Sequence, residues 1–518
     1  MALPSTPAAW GQVRLPSLGE TASSDLSVGA ERRLGDQIMR EARRDPLYLD
    51  DPVLLEYLQS VWQPLVVAAR KVGNIDADTE HSFAWEPFLV KDRSVNAFAL
   101  PGGYVGMHLG LIAITHNVDQ MASVLAHELT HVTQRHIARS IAPQQQASLM
   151  AIAGLLLGMI AASRSNNADM ANAAMMGGQG AAVQSQLNFS RDMEREADRV
   201  GYGLLASAGF SPAGMAAMFD RMDQATRLND SGGFPYLRSH PLTVDRISEA
   251  RNRTLLGGAA PPQPTLLHSI MQMRARALMD DNQQSLQRLN GNTSSTLLAD
   301  RVGALYGGAL GASLLRDHDR AERQVNSALQ LAAGAQPREP QAERALHLLR
   351  SQVRLSRGDA TGALQALDAL ASGSSHPGRP GLLLRGQAAM ALSRSDAPAA
   401  APPLRASAEA LQTWLAENPN DAAGWELLAA TTDALGLKLR AMRAGAEARA
   451  VVGDMNGAID RLRAAQALSK TPAGQDFIEA SVIDTRLRQL TAQRRQLALE
   501  ARGEGGGRGG PREDPPPQ

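Results

Sequence analysis

Residues 125–136, "LAHELTHVTQRH", hold three histidines and one glutamate, and the way they are read decides the fold. On an α-helix, positions four apart lie one above the other on the same face. His127 and His131 then point the same way, with Cβ atoms about 6 Å apart, a spacing that suits two imidazoles on one zinc ion. Glu128 lies beside them, within reach of a water on that metal. This geometry is what the H-E-x-x-H pattern encodes: the metal lowers the pKa of its water to about 7, and the carboxylate takes the proton as the water attacks a carbonyl carbon. His136 does not fit the pattern, because on a continuous helix it is rotated by about 140° from His131. Gln134 and Ile137 also stand where the extended H-E-x-x-H-x-x-G-x-x-H pattern needs Gly and His. The third ligand must come from another segment.

The best source is "SRDMEREADRVG", residues 190–201. Glu194 and Asp198 are again one helical turn apart. In thermolysin-like enzymes the upstream carboxylate of such a pair binds zinc, and the downstream one orients a ligating histidine through its free ring N–H. Glu196, turned about 200° from Glu194, is expected to face arginines or solvent. Either motif alone has an ordinary reading as a solvated helix face. Together, in this order and on two helices, they point to zinc chemistry.

The rest of the composition sets limits. A chain of 518 residues is too long for one core, so two or three domains are expected. Lys plus Arg equals Asp plus Glu at 52 each, which gives no reason to expect a nucleic-acid partner. With no cysteine, disulfides, thiolate zinc sites and cysteine nucleophiles are excluded. No apolar run reaches the roughly 18 residues of a spanning helix; the longest, Leu149 to Ala162, contains Gly154 and Gly158. The first twenty residues lack a basic start and an apolar stretch, so they do not read as a signal peptide. Taken alone, that favours a cytoplasmic protein, although a trimmed chain would look the same.

Along the chain, residues 1–25 read as a flexible segment, and 26–260 as the metal-binding domain. Two amphipathic helices are expected between Ser27 and Ala69. "HSFAWEPFLV" (81–90) and "VNAFALPGGYVGMH" (95–108) read as a small antiparallel sheet broken at Pro101-Gly102-Gly103. The metal-site helix starts near Asn117, a cap residue with Gln120 at the capping-box position. Residues 141–186, rich in Met, Ala and Gly, read as a lid or loop insertion, with peripheral membrane contact as one role and a packed helical hairpin as another. Residues 261–500 read as helical repeats. "RDHDRAERQV", "RGDATGALQAL" and "VGDMNGAIDRL" each place an Asp four residues before an Ala at a helix start. With "NPNDAAGWELLAA" from Asn418 they suggest degenerate tetratricopeptide hairpins. Residues 501–518 read as a disordered tail.

Four separated motifs occur in order: "VNAFALPGG" (95–103), "ASVLAHELTHVTQRHIAR" (122–139), "EREADRVG" (194–201) and "SHPLTVDRISEARNR" (239–253), with "LPSLGE" (15–20) before them. On these, the chain resembles the HtpX, Oma and CAAX prenyl protease-type peptidases, and among them the periplasmic β-barrel assembly-enhancing metalloproteases that carry C-terminal repeats. The resemblance implies a mostly α fold with a small sheet (α+β): a thermolysin-like gluzincin metallopeptidase domain followed by a tetratricopeptide solenoid. It implies one Zn2+ per chain held by His127, His131 and Glu194, with Glu128 as general base and Asp198 behind the ligands. Asn96 and Ala97 would lie on the edge strand that binds substrate backbone. His240 and Arg246 match an H-P-x-x-x-x-R motif. His240 would serve as an inhibitory fourth ligand, an oxyanion donor, or both in closed and open states; Arg246 would assist the oxyanion or anchor the loop. The resemblance further implies periplasmic residence. Its implied partners are unfolded or misassembled outer-membrane proteins and the β-barrel assembly machinery, the latter docked through the repeats. A chaperone or scaffold with latched or structural zinc and little proteolysis is the alternative.

Overall fold

The computed structural model describes residues 26–140, 190–228, 234–257, 263–289, 293–371, 378–471 and 476–505. Residues 1–25, the whole of the expected insertion at 141–186, and the tail beyond 505 lie outside them.

The first two helices form where amphipathic patterning places them. Helix α1 (Val28–Ala42) is capped by Ser27, whose Oγ accepts from the Ala30 amide. Helix α2 (Pro52–Lys71) starts on Asp51, whose carboxylate accepts from the Leu54 amide, with Pro52 in the first turn where its missing N–H costs nothing. Leu54, Leu58, Trp62 and Leu65 of α2 are fully buried, and this stripe is the spine of the molecule. A short helix, α3 (Ala77–Ser82), leads into the sheet.

Four strands, β1 (Tyr48–Leu49), β2 (Glu86–Val90), β3 (Ala97–Leu100) and β4 (Tyr104–His108), pair in the order β1-β2-β4-β3. The sheet is mixed, which corrects the expectation of an antiparallel one: β2 and β4 are parallel, while β1–β2 and β3–β4 are antiparallel. The turn Pro101–Gly103 joins β3 to β4 as expected, with positive φ at Gly102 and Gly103 (76° and 88°) that only glycine adopts at little cost. However, β4 inserts between β2 and β3 instead of adding outside, so β3 becomes one edge of the sheet, opposite β1. Strand periodicity identifies strands but carries no information on their lateral order.

Helix α4 (Leu109–Ile114) leads to α5 (Val118–Thr133), followed by α6 (His136–Ser140), α7 (Arg191–Ser207), α8 (Ala213–Leu228), α9 (Tyr236–Ser239) and α10 (Val244–Gly257). Asn117 caps α5 as expected, its Oδ1 accepting from the Gln120 amide; Gln120 reaches back to the amide of His116 instead of that of the cap residue.

From Leu266 onward the chain is helical: α11 (Leu266–Met279), α12 (Gln283–Arg288), α13 (Leu298–Leu314), α14 (His318–Ala333), α15 (Pro340–Arg357), α16 (Ala360–Ala371), α17 (Gly378–Ser395), α18 (Ala397–Glu417), α19 (Ala422–Ala434), α20 (Lys438–Val451), α21 (Met455–Ser469) and α22 (Phe477–Gly505). The repeated Asp–Ala pairs acquire a physical meaning. Asp317, Asp359 and Asp454 each accept a hydrogen bond from the amide three residues on, starting a helix. The paired Ala321, Ala363 and Ala458 are fully buried, where a small side chain lets neighbouring helices approach. Among the described residues, one hydrophobic core gathers side chains between Leu26 and Leu384, so α11, α13 and α15 share it with α2 and the sheet. Separate small cores close the later helices around Leu411 and Leu415, and around Ile459 and Leu462. Among the described residues, no helix is long and apolar enough to cross a membrane.

Candidate metal centre

Helix α5 is buried over almost its whole length, so its polar residues must find partners inside the protein. His127 and His131 project from one face with their Nε2 atoms 3.0 Å apart. Helix α7, capped by Ser190, brings Glu194 and Asp198 to them. Its close approach depends on Gly201, where an added Cβ would sit 3.2 Å from the Ala126 carbonyl oxygen on α5. His240, at the end of α9, completes the group. Its Nδ1 lies 3.2 Å from His127 Nε2 and 2.9 Å from Glu194 Oε1. The Glu194 oxygens stand 3.4 Å from each of the other two imidazoles. Thus His127, His131, Glu194 and His240 converge, all of them buried.

The donor set fits a zinc ion. Four ligands about 2.0–2.1 Å from a tetrahedral centre are separated from each other by about 3.3 Å, close to the spacings above. His127 offers its Nδ1 to Asp198 Oδ1 at 3.0 Å, which leaves its Nε2 lone pair facing the same point as the Nε2 of His131. Bare lone pairs at 3.0 Å repel, and a cation between them turns the repulsion into coordination. The charges agree. Burial works against a charged His127, yet Glu194 and Asp198 raise its pKa to about 10. Burial drives His131 well below the usual imidazole range, with positive His127 adding to the shift. The Glu194 and Asp198 carboxylates beside these rings supply negative charge to balance a divalent cation.

Glu128 completes the chemistry. It is fully buried, and neither of its carboxylate oxygens has a hydrogen-bond partner. Burial raises its pKa, against the pull of His240 and His127. Its Oε1 lies 3.5 Å from His240 Nε2. A buried carboxylate with no close hydrogen bond, beside a cation site, is placed to take a proton from a water there.

Arg246 lies behind the ligands. It donates to both oxygens of Asp198 at 2.7 and 2.8 Å and to the Pro241 carbonyl at 2.9 Å, and pairs with Glu194 Oε2 at 2.8 Å. Burial opposes ionisation of Asp198, but Arg246 and His127 hold it below the usual carboxylate range. Of the two roles expected for Arg246, these contacts are those of a loop anchor; all of them run to the carboxylates and the His240 loop.

Ala97 opens β3, an edge strand of the sheet. The Asn96 carbonyl accepts from the His108 amide at 3.0 Å, so its backbone turns inward to β4, and strand alternation leaves Val95, Ala97 and Ala99 facing outward. The main chain of Asn96 thus faces β4, and that of Ala97 faces the edge. The outward Val95 carbonyl already accepts from the Tyr236 amide at 3.3 Å. Tyr236 also stacks on the His240 ring, with centroids 4.6 Å apart.

Peptidase family M48 matches residues 56–254. The β-barrel assembly-enhancing protease of Escherichia coli is 30% identical over 484 residues, covering 92% of this chain and 91% of that protein. That similarity decides the matter. The chain belongs to the β-barrel assembly-enhancing proteases of peptidase family M48. A putative β-barrel assembly-enhancing protease of Vibrio cholerae is 40% identical over 244 residues, 46% of this chain and 47% of that protein. The mitochondrial metalloendopeptidase OMA1 of Saccharomyces cerevisiae is 28% identical over 215 residues, 40% of this chain and 58% of that protein. As a member of this family the chain is a metallopeptidase, and the buried histidine–glutamate group is its candidate metal centre.

Sequence reasoning missed two residues around this centre, Tyr236 and His136. Tyr236 carries no motif of its own. His136 was set aside on the assumption of a continuous helix, but α5 stops at Thr133 and Arg135 takes a left-handed φ of 51°. Arg135 is held there by Glu31 and by the Leu26 carbonyl, about a hundred residues away. The break swings His136 back to His131, with their Nδ1 atoms 2.9 Å apart. Glu196, expected to face arginines or solvent, lies between His136 and Arg139.

Proposed function

We propose that this protein is a zinc endopeptidase whose single ion is held by His127, His131 and Glu194, with Glu128 as general base and Asp198 orienting His127. The observation that carries the reading is the Glu128 carboxylate, fully buried and without a close hydrogen bond beside four converging ligand atoms. Zinc bound there would supply Lewis acidity and lower the pKa of an attacking water. The protein's own residues do the rest. The outward backbone groups at Ala97 pair with an extended substrate as an added strand. Glu128 takes the proton of the water and passes it to the leaving amine. Arg246 keeps both carboxylates in register and ties them to the His240 loop.

His240 has two places in this scheme. As a fourth ligand it occupies the position an attacking water needs and keeps the enzyme closed; swung outward, its ring donates to the oxyanion. Its place among the ligand atoms here, under the stacked Tyr236, favours the closed state. That same observation favours the second reading, a scaffold with a permanently latched metal.

By similarity to the named relatives, the clients are misassembled outer-membrane β-barrel proteins in the periplasm. The helical hairpins from Leu266 onward, read as degenerate tetratricopeptide repeats, dock those clients or the assembly machinery. Unfolded strands suit an edge-strand cleft that reads backbone.

Digestion of an unfolded β-barrel protein by wild type, Glu128→Gln and His240→Ala tests the reading. Wild-type cleavage that drops about 10²–10⁴-fold in Glu128→Gln is expected, with faster cleavage in His240→Ala. Equal cleavage by wild type and Glu128→Gln contradicts the peptidase reading. No cleavage even by His240→Ala favours the scaffold.

A further inference from the structure

The two α5 imidazoles are supported in different ways. His127 leans on a carboxylate directly, whereas His131 leans on another histidine. His131 Nδ1 lies 2.9 Å from His136 Nδ1, and His136 Nε2 lies 3.1 Å from Glu196 Oε2. Arg139 is 3.4 Å from the same oxygen. His136 is fully buried and Glu196 about 30% exposed, so the chain of contacts runs from the surface to the centre.

The tautomers follow from donor chemistry. An ionised carboxylate only accepts, so the contact with Glu196 requires the proton of His136 on Nε2. Nδ1 of a neutral His136 is then a lone pair, and its 2.9 Å contact is a hydrogen bond only when His131 carries its proton on Nδ1. That leaves the Nε2 of His131 as a lone pair aimed at His127 and Glu194. Each step fixes the next, and no other assignment of neutral rings satisfies both contacts.

We infer that His136 and Glu196 are positioning residues of the metal centre, a histidine–carboxylate relay that sets the tautomer and ring orientation of His131. The inference rests on the reading of His131 as a ligand. Outer partners of metal-bound histidines raise metal affinity by about tenfold to a hundredfold, and the relay does for His131 what Asp198 does for His127. It also does so without placing another carboxylate in a pocket that already holds Glu128, Glu194 and Asp198.

The test is equilibrium competition for Co2+ between the full-length protein and a chromophoric chelator, with the visible spectrum of the bound ion recorded. His136→Leu, which fills the space but accepts nothing, should weaken Co2+ binding about tenfold to a hundredfold and alter the spectrum. His136→Asn, whose Oδ1 can replace the Nδ1 acceptor, should recover most of that loss. Glu196→Ala, at a partly exposed position that the fold tolerates, should weaken binding by several-fold. A His136→Leu protein that melts like wild type without metal and holds Co2+ equally tightly overturns the relay. Should His136→Leu not fold, unchanged affinity and spectrum in Glu196→Ala overturn it instead. His131→Ala separates the two levels: loss of Co2+ there with no effect at His136 or Glu196 refutes only the relay, whereas full retention refutes the site itself.

Discussion

Two regions of this molecule bury charge, and they treat it in opposite ways. At the junction of α2 with the later helices, the buried Asp51–Arg274 pair is satisfied within the protein. Arg274 on α11 donates to both oxygens of Asp51 at 2.7 and 2.6 Å and to the Tyr306 hydroxyl on α13 at 2.8 Å. Asp51 meanwhile caps α2. Outward along the same seam, Arg344 pairs with Glu56, and Arg379 with Asp50 and Asp421. In the cleft between α5 and α7, by contrast, Glu128 has only a long 3.5 Å contact with His240 and no close hydrogen bond, and imidazole lone pairs face one another. A seam that only joins two parts of a chain is self-sufficient. A site that binds something leaves its groups incomplete, and that incompleteness distinguishes a reactive cluster from a structural one.

Substitutions should therefore act in opposite directions in the two regions. The largest effect is on activity in the cleft: Glu128→Gln should cost about 10²–10⁴-fold in turnover while leaving the melting temperature of the metal-free protein unchanged or higher, because it removes a buried charge that has no close hydrogen bond. A large loss of stability in that variant would break the contrast. At the seam the order reverses. Arg274→Ala strands the Asp51 carboxylate and should cost about 3–5 kcal/mol of stability, read by urea denaturation, with no recovery on adding zinc. A change below about 1 kcal/mol would show that Asp51 is not committed to Arg274.

A smaller effect comes from pH. His268 on α11 is buried between Tyr57 and Thr115, 2.7 and 3.2 Å away, and burial lowers its pKa to about 4 from 6.5. Its folded pKa is depressed, so the unfolded chain binds the extra proton. Stability is then full above pH 6.5 and declines as the pH falls from 6.5 towards 4, by up to roughly 3 kcal/mol. Denaturation of wild type and His268→Gln at pH 7.5 and 4.5 checks this. The variant should lose that part of the pH dependence, and an unchanged slope would place its origin elsewhere.

How much of this was legible in the sequence depends on the reach of each determinant. The His127–His131 and Glu194–Asp198 pairs are set by one helical turn and could be read directly. So could the helix cap at Asn117, which needs only its own next three residues. The mixed sheet was not legible, because β4 pairs with β2 across an intervening strand. His136 was lost for the same kind of reason: the helix break at Arg135 contains no Gly or Pro and is imposed by α1. The Asp51–Arg274 pair joins positions 223 residues apart, and no local pattern announces it.

The most direct test of the account is a zinc-edge anomalous difference map from crystals of the zinc-loaded full-length protein. One peak is predicted, about 2.0–2.2 Å from Nε2 of His127, Nε2 of His131 and a carboxylate oxygen of Glu194. A zinc peak bound elsewhere, or none beside these three residues, would contradict it.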